Sequence, residues 1–243
     1  MILNFLSDSF YYGSSLYYDA SYFYLILPAF LIALIAQIAV KSAYKKMSQV
    51  YSKSGYSGAQ AALAVLRYYG ITDVRVEQCS GKLSDHYDPK KKVIRLSEGV
   101  FSSTSVAAIG IACHEAGHAA QHASAYLPIK IRNSILPVCQ IGSYAGIPLA
   151  FVGMLLSFEP LIFIGLLLYS FIMIFQLATL PVELNASSRA LAVIQETGLL
   201  RDENELSGAK KVLRAAAFTY VAALITALAN LLRFVMIFAR RKD

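Results

Sequence analysis

Charged side chains are scarce in this sequence. Lysine, arginine, aspartate and glutamate make up 15% of the 243 residues, whereas a soluble domain carries about a quarter. Hydrophobic residues make up 57%, and the mean hydropathy is +0.53. This composition disfavours a soluble globular protein and favours a chain that is partly embedded in a membrane.

Cysteines are also few, and they are widely spaced. The chain has three, Cys79, Cys113 and Cys139, and no two of them form a CxxC pair. The spacing therefore argues against a zinc site made of cysteines and against a disulfide framework.

Lysine and arginine are missing from the first 40 residues. The apolar run "YFYLILPAFLIALIAQIAV" ends this segment, at residues 22–40. A signal peptide would have a basic stretch before its apolar core and a small-x-small cleavage site after it. Because both are absent, we predict that residues 22–40 form a retained transmembrane helix.

Three further apolar runs, at 138–157, 160–180 and 215–239, are long enough to cross a bilayer core, which takes about 20 residues. We therefore expect about four transmembrane helices. They divide the chain into an N-terminal segment with the first span (1–40), a loop region (41–137), a transmembrane hairpin (138–180), a second loop region (181–214) and a fourth span with a basic tail (215–243).

The distribution of basic residues predicts how the chain is oriented. Lysines and arginines follow the first span and lie between the third and fourth, so the positive-inside rule places both long loops in the cytoplasm and the N-terminus outside. The net charge of +7 then marks the cytoplasmic side of a membrane, and no nucleic-acid partner is expected. The tail "RRKD" conflicts with the rule if the fourth helix crosses fully, and the sequence leaves its side open.

The two loop regions have a mixed α and β character. Ser57 suits the N-cap of a helix. Residues 74–101 read as short strands around turns, with strand character in "KVIRLS". Residues 102–127 are long and alanine-rich, which predicts one helix capped by Ser102 or Ser103. The expected fold class is a mainly α membrane protein with a small cytoplasmic α+β domain.

Three of the four histidines lie in the stretch "ACHEAGHAAQHA". His114, Glu115 and His118 form an HExxH pattern, which on a helix places two imidazoles one turn apart on one face, within reach of one zinc ion. Glu115 can then take a proton from a water whose pKa zinc lowers to about 7. The pattern predicts a zinc site with Glu115 as the general base. The alternative is a pair of histidines on a polar face without a metal.

His122 continues the four-residue spacing but does not suit the same ion. On a straight helix it lies about 12 Å along the axis from His114, whereas zinc ligands lie about 2.0–2.1 Å from the metal. The longer pattern with a third histidine is also excluded, because Ser124 occupies that position. We interpret His122 as a polar residue near the site or, alternatively, as a substrate contact.

A third ligand must come from another part of the chain, and Glu183 is a candidate. We expect Pro181 to mark the membrane exit and to open a new helix, on which Glu183, Ser187 and Ala190 share a face. The small residues there suit close packing against the HExxH helix. From spacing alone, Glu183 is either a zinc ligand or a surface glutamate that the helix dipole favours.

Several separate stretches resemble the YugP-like bacterial membrane zinc metallopeptidases. They are "LSDHYDPKKKVIRLSE", "HEAGHA", "PVELNASSRAL" and "GAKKVLRAAAFTYVAAL". The resemblance covers nearly the whole chain after the first span. This family is similar in pattern to the gluzincins, in which a downstream glutamate joins the HExxH pair.

The resemblance implies a zinc endopeptidase of the bacterial inner membrane, with its site at the cytoplasmic face and a peptide or membrane protein as substrate. One zinc per chain would be held by His114, His118 and Glu183, with Glu115 as the general base. Ser187 stands where HtpX-like membrane proteases have aspartate. The resemblance therefore implies that a hydroxyl, or Asn185, replaces a carboxylate beside an imidazole.

A peptidase also needs a donor for the oxyanion, and His86, Tyr87 and Arg189 are the candidates. "DHYDP" is equally consistent with a turn that only holds a loop. In gluzincins the strand before the zinc helix pairs with an extended substrate, so the resemblance would make residues 93–96 the substrate edge.

Other functions and ligands remain open in the sequence. A site-2-type intramembrane protease needs an aspartate in a later span, and spans two to four contain none. A non-catalytic scaffold would use zinc only to join two helices, and the intact Glu115 argues against it. Should Glu183 not bind zinc, Glu196 and then His86 are the next candidates.

Overall fold

The computed structural model describes residues 22–240. The expectations for the segment before Tyr22 and for the tail after Arg240 lie outside this range. After a π-helical turn, Tyr22–Ile26, the described helices are α1 (Leu27–Met47), α2 (Gly58–Tyr68), α3 (Glu98–Phe101), α4 (Val106–Ala123), α5 (Leu127–Leu155), α6 (Glu159–Thr197) and α7 (Glu203–Arg240). The strands are β1 (Arg75–Cys79), β2 (His86–Asp88) and β3 (Val93–Ser97).

Four of these helices are long and apolar enough to cross a membrane, which confirms the predicted number of spans. They are α1 with its preceding turn, α5, α6 and α7. Each continues beyond the apolar run that predicted it: α1 reaches Met47, and α7 begins at Glu203. The membrane helices therefore extend into the regions that the sequence assigned to loops.

The prediction that Pro181 opens a new helix is wrong, because α6 passes through Pro181 without a break. Proline removes one backbone donor, a loss that long membrane helices tolerate when neighbouring groups compensate. The two residues that follow it, Val182 and Glu183, are buried, so packing contacts stabilise this part of the helix. The third span and the Glu183 segment are therefore one continuous helix.

Helices α5 and α6 form a hairpin whose backbones approach closely at glycines. A Cβ on Gly146 would lie 2.9 Å from the Tyr169 nitrogen, and one on Gly165 would lie 2.5 Å from the Ala150 nitrogen. Contacts this short exclude any larger side chain. Membrane helices commonly associate through such small residues, because apolar side chains gain little over lipid.

The small sheet has the strand order β1-β3-β2, with β3 parallel to β1 and antiparallel to β2. Val93, Ile94 and Leu96 of β3 have no exposed surface. The expectation that residues 93–96 form a substrate edge is wrong, because both sides of β3 are already paired. The predicted strands themselves are confirmed.

Helix α2 begins where the sequence predicted. Ser57 Oγ accepts a hydrogen bond from the Gln60 backbone nitrogen (3.3 Å), and the Gln60 side chain accepts one from the Ser57 nitrogen (2.9 Å). This reciprocal capping box satisfies two donors at the helix start.

Helix α4 is the centre of the domain outside the predicted spans, and it packs against α2, α6, α7 and the sheet. Its N-cap is Ser105, whose Oγ accepts from the Ala108 nitrogen at 3.2 Å, so the predicted caps Ser102 and Ser103 are wrong. The short helix α3 ends just before them, and the chain needs three further residues to turn into α4. Nearly the whole first half of α4 is buried, which fixes the position of the HExxH residues.

Candidate metal centre

Two helices bring three possible ligands together. His114 and His118 lie one turn apart on α4, with ring centroids 4.7 Å apart. Glu183 extends from α6, and its Oε2 lies 3.3 Å from His114 Nε2 and 3.6 Å from His118 Nε2. The Glu183 side chain is only 6% exposed.

This arrangement fits a zinc ion. Two atoms that each lie about 2.0–2.1 Å from a tetrahedral ion are about 3.3 Å apart. The two imidazole nitrogens stand at 3.3 and 3.6 Å from the carboxylate oxygen, and all three ligand atoms lie within 4.8 Å of one another. Two histidines and one carboxylate are a ligand set that leaves a fourth position open.

A buried amide orients the second imidazole. Gln121 has no exposed surface. Its Nε2 donates to the Val182 carbonyl at 2.8 Å and to Asn185 Oδ1 at 3.0 Å, so its Oε1 must be the acceptor. His118 Nδ1 donates to that oxygen at 3.0 Å, which leaves His118 Nε2 free to face Glu183.

A hydroxyl on α6 contacts the first imidazole. Ser187 Oγ lies 3.1 Å from His114 Nδ1. When Nδ1 donates its proton to this oxygen, Nε2 is left as the ligand atom. Each imidazole therefore makes a hydrogen bond through Nδ1, His114 with Ser187 and His118 with Gln121. Both rings face Glu183 through Nε2.

The two helices cross closely enough for this only because Gly117 has no side chain. A Cβ at Gly117 would lie 2.6 Å from the Ala186 carbonyl oxygen. Ala186 is itself fully buried, one turn after Glu183. The Gly117–Ala186 contact thus fixes how far Glu183 can reach over the α4 face.

A cleft lies beside the three ligands. We define it by its lining residues Gln37, Val40, Lys41, Tyr44, Leu83, Asp85, Ile111, His114, Glu115, Glu183, Ser187, Val212, Leu213, Ala216, Ala217 and Tyr220. They come from α1, the segment before β2, α4, α6 and α7. The cleft is mostly apolar, and its polar lining includes the possible ligands His114 and Glu183 as well as Glu115.

The electrostatic surroundings favour a cation. Burial disfavours the charged form of His118, but the Glu183 carboxylate 3.6 Å from its Nε2 and the charge of Glu115 outweigh this effect, so the pKa of His118 lies above its ordinary value. The neighbouring Cys113 is fully buried, and burial raises the pKa of its thiol. Cys113 therefore packs as a thiol and supplies no thiolate.

The structure places the three proposed oxyanion donors outside the cleft. His86 is exposed on β2, with Nδ1 2.7 Å from the Ser84 carbonyl oxygen. Tyr87 faces the His122 ring at 5.5 Å. Arg189 Nε donates to Asn185 Oδ1 at 2.9 Å, and its guanidinium lies over the rings of Tyr69 and Tyr126, 5.8 Å from each centroid.

The substitute ligands named from the sequence also lie apart from the three-ligand group. Glu196 accepts a hydrogen bond from the Tyr68 hydroxyl. His122, interpreted from the sequence as a polar residue near the site, is also outside this group. Burial, followed by the charges of His118 and Arg132, lowers the pKa of His122. Within residues 22–240, the group of histidines and acidic residues that could hold a metal ion is His114, His118 and Glu183.

Two residues of the site were missed in the sequence. Gln121 stands three positions after His118 on the same helix, a spacing that could have indicated a shared face. Tyr220 lines the cleft from α7, together with Glu183. No local pattern indicates Tyr220, because its place depends on how α7 packs.

Comparison with known proteins gives a consistent result. Residues 22–239 match a family described as "Putative neutral zinc metallopeptidase". The chain is 47% identical over 223 residues to the "Putative membrane protease YugP" of Bacillus subtilis (strain 168), covering 91% of this chain and 98% of that protein. No solved structure matches the chain.

Proposed function

The chain belongs to the family described as "Putative neutral zinc metallopeptidase", and from this premise we propose that it is a membrane-embedded, zinc-dependent endopeptidase. His114, His118 and Glu183 hold one zinc ion, and Glu115 is the general base. The observation that carries the proposal is the convergence of three ligand atoms within 4.8 Å, from helices far apart in the sequence.

Glu115 has the position that its role requires. It follows the first ligand on α4 and lines the cleft, where a substrate carbonyl can lie. When bound, zinc supplies Lewis-acid chemistry that activates water and polarises a carbonyl. The Glu115 carboxylate takes a proton from the attacking water and passes it to the leaving amine nitrogen. A scaffold without activity would have no use for a carboxylate beside an open cleft.

Tyr220 is the best-placed donor for the oxyanion. It lines the same cleft as Glu183 and Glu115, and a phenol, with an ordinary pKa of about 10, keeps its proton at neutral pH. As the carbonyl oxygen gains negative charge, the hydroxyl can donate to it. We propose Tyr220 for this role in place of His86, Tyr87 and Arg189.

The outer side of β2 is a suitable surface for an extended substrate. β2 pairs with β3 on one side only among the described strands. Leu83 and Asp85, just before β2, line the cleft, so a peptide added to that side would lead toward the ligands. Main-chain pairing of this kind binds many sequences, which suits an endopeptidase.

We propose that the protein lies in the bacterial inner membrane with its cleft at the cytoplasmic face. The four apolar helices support membrane insertion. The lysines and arginines after the first span and before the fourth support the orientation.

The test combines zinc content with activity for two glutamate variants. Glu115→Gln should keep about one zinc per chain and lose at least about 10²-fold in turnover, as loss of a general base typically does. Glu183→Gln should lose zinc, and excess zinc should partly restore its activity. If wild-type protein binds zinc but cuts no unfolded polypeptide, and chelation only lowers its stability, the chain is a zinc-stabilised scaffold instead.

A further inference from the structure

The cleft beside the metal ligands is walled by two membrane-spanning helices. α1 contributes Gln37 and Lys41 from its last turns, and α7 contributes Ala216 and Tyr220. These residues face the same space as Glu115. A substrate that reaches Glu115 must therefore lie against helices that continue into the bilayer.

The metal centre lies close to the end of the apolar part of three helices. The apolar run of α1 ends at Val40, that of α6 ends at Leu180, and that of α7 begins at Ala215. Glu183 is three residues beyond Leu180, about 4.5 Å along the helix, and Tyr220 is five residues inside the α7 run, about 7.5 Å. The cleft therefore straddles the membrane boundary, at the level of the headgroup layer.

The residues on the different faces of α1 are consistent with a cleft at the membrane boundary. Ala29, Ala36 and Ala43, seven residues apart, are buried where α1 packs against α7. Ile35, on the far side from Gln37, is 59% exposed and suits lipid. Gln37, which is also exposed, interrupts the apolar run and lines the cleft, so this face of α1 presents a polar group to the substrate space.

We propose that the cleft takes peptide bonds in the juxtamembrane segment of membrane-anchored polypeptides. This rests on the proposed peptidase function and adds the substrate class. Apolar lining from Val40, Ile111 and Leu213 suits the side chains that flank a transmembrane span. The anchor holds the segment at the depth of the ligands and so raises its effective concentration there. A free peptide has no such advantage.

The main experiment uses the full zinc-loaded chain in lipid vesicles and one unstructured polypeptide segment in two forms. One form follows a single transmembrane anchor, and the other is free. The anchored form should be cut at least about tenfold faster. Mass spectrometry should place its cuts within about five residues of the anchor, because each extended residue spans about 3.3 Å.

A spacer separates the effect of depth from the effect of sequence. Inserting about ten Gly/Ser residues after the anchor moves the segment away from the membrane. The cuts should move into the inserted residues and stay at the same distance from the anchor. Cuts that stay in the original sequence, or equal rates for the anchored and free forms, would overturn the substrate class while leaving the peptidase function intact.

Disulfide crosslinking tests where the anchored substrate binds and does not depend on turnover. In the Glu115→Gln chain, Gln37→Cys should form a disulfide with a cysteine placed just after the anchor of the substrate, in the presence of a mild oxidant. Ile35→Cys, on the opposite face of α1, is the matched control and should not. Equal crosslinking at both positions would overturn the proposal. Loss of cutting by wild type, with selective crosslinking at Gln37, would overturn the peptidase function and support the docking site.

Discussion

At the scale of single residues, the orientation of the imidazoles depends on groups that never touch the metal. Gln121 Oε1 accepts from His118 Nδ1, and the Gln121 amide is fixed in turn by the Val182 carbonyl and Asn185. Arg189 Nε donates to the same Asn185 oxygen. A chain of hydrogen bonds therefore runs from α6 to the ligand, and this gives Arg189 a structural role.

Gln121→Met tests this chain. Methionine fills a similar volume but cannot accept from His118 or donate to Val182, so the ring loses its fixed orientation. Zinc affinity should fall about 10–100-fold, as is typical for the partners of zinc-bound histidines. Competition with a zinc chelator measures it. The exposed Gln78→Met is the matched control, and an equal loss there would remove Gln121 from the site.

Tyr220→Phe tests the proposed oxyanion donor. The variant keeps the ring and loses the hydroxyl, so kcat should fall about 10²–10³-fold, whereas KM and zinc content should change little. Tyr144→Phe, at a side chain that is 82% exposed, is the control. A fall in zinc content without a separate loss of kcat would make Tyr220 a positioning residue for Glu183 instead.

At the scale of helices and strands, the position of Glu183 depends on one glycine. At Gly117 an added Cβ meets the Ala186 carbonyl oxygen at 2.6 Å, whereas at Gly110 of the same helix its nearest contact is the Ala209 Cβ at 3.5 Å. The first contact requires the backbones of α4 and α6 to separate. The second is an ordinary van der Waals contact.

Gly117→Ala should therefore weaken zinc binding at least about tenfold, because Glu183 moves away from the imidazoles. Gly110→Ala should keep zinc and gain up to about 1 kcal/mol from better helix propensity. Zinc titration and thermal unfolding of the two variants measure the difference. Normal zinc affinity in Gly117→Ala would show that the helix crossing does not control the site.

The elements also show what a sequence can reveal. The spans and the HExxH helix were predictable because hydropathy and a five-residue pattern are local. The central place of β3 was not, since strand order depends on pairing between distant segments. Ser105 was missed among neighbouring serines that all suit a cap. Pro181 gave a wrong helix boundary because the buried residues after it stabilise a continuous helix. Spacing alone left Glu183 as either a ligand or a surface glutamate, and the family resemblance favoured the ligand, since its convergence on His114 depends on how α4 and α6 cross.

At the scale of the whole molecule, the hairpin turn and the metal centre should lie on opposite sides of the membrane. Both are on α6, and the helix is unbroken from Glu159 to Thr197. From Glu159 to Glu183 it rises about 36 Å, at about 1.5 Å per residue. That distance exceeds the roughly 30 Å of the hydrocarbon core. The glycine contacts with α5 keep the two helices of the hairpin together across this distance.

Single cysteines test this arrangement and the proposed orientation together. In a chain with Cys79→Ser, we would place one cysteine at Leu156 in the turn, which is 67% exposed, or at Lys90 in the exposed loop after β2. A membrane-impermeant maleimide should label Leu156→Cys in intact cells and Lys90→Cys only in inverted vesicles, because the basic loops stay inside. Cys113 and Cys139 are buried and should react slowly.

The reverse labelling pattern would put the cleft on the outer face, where it would meet a different set of substrates. Labelling of both positions from one side would show that the α5–α6 hairpin does not cross at all.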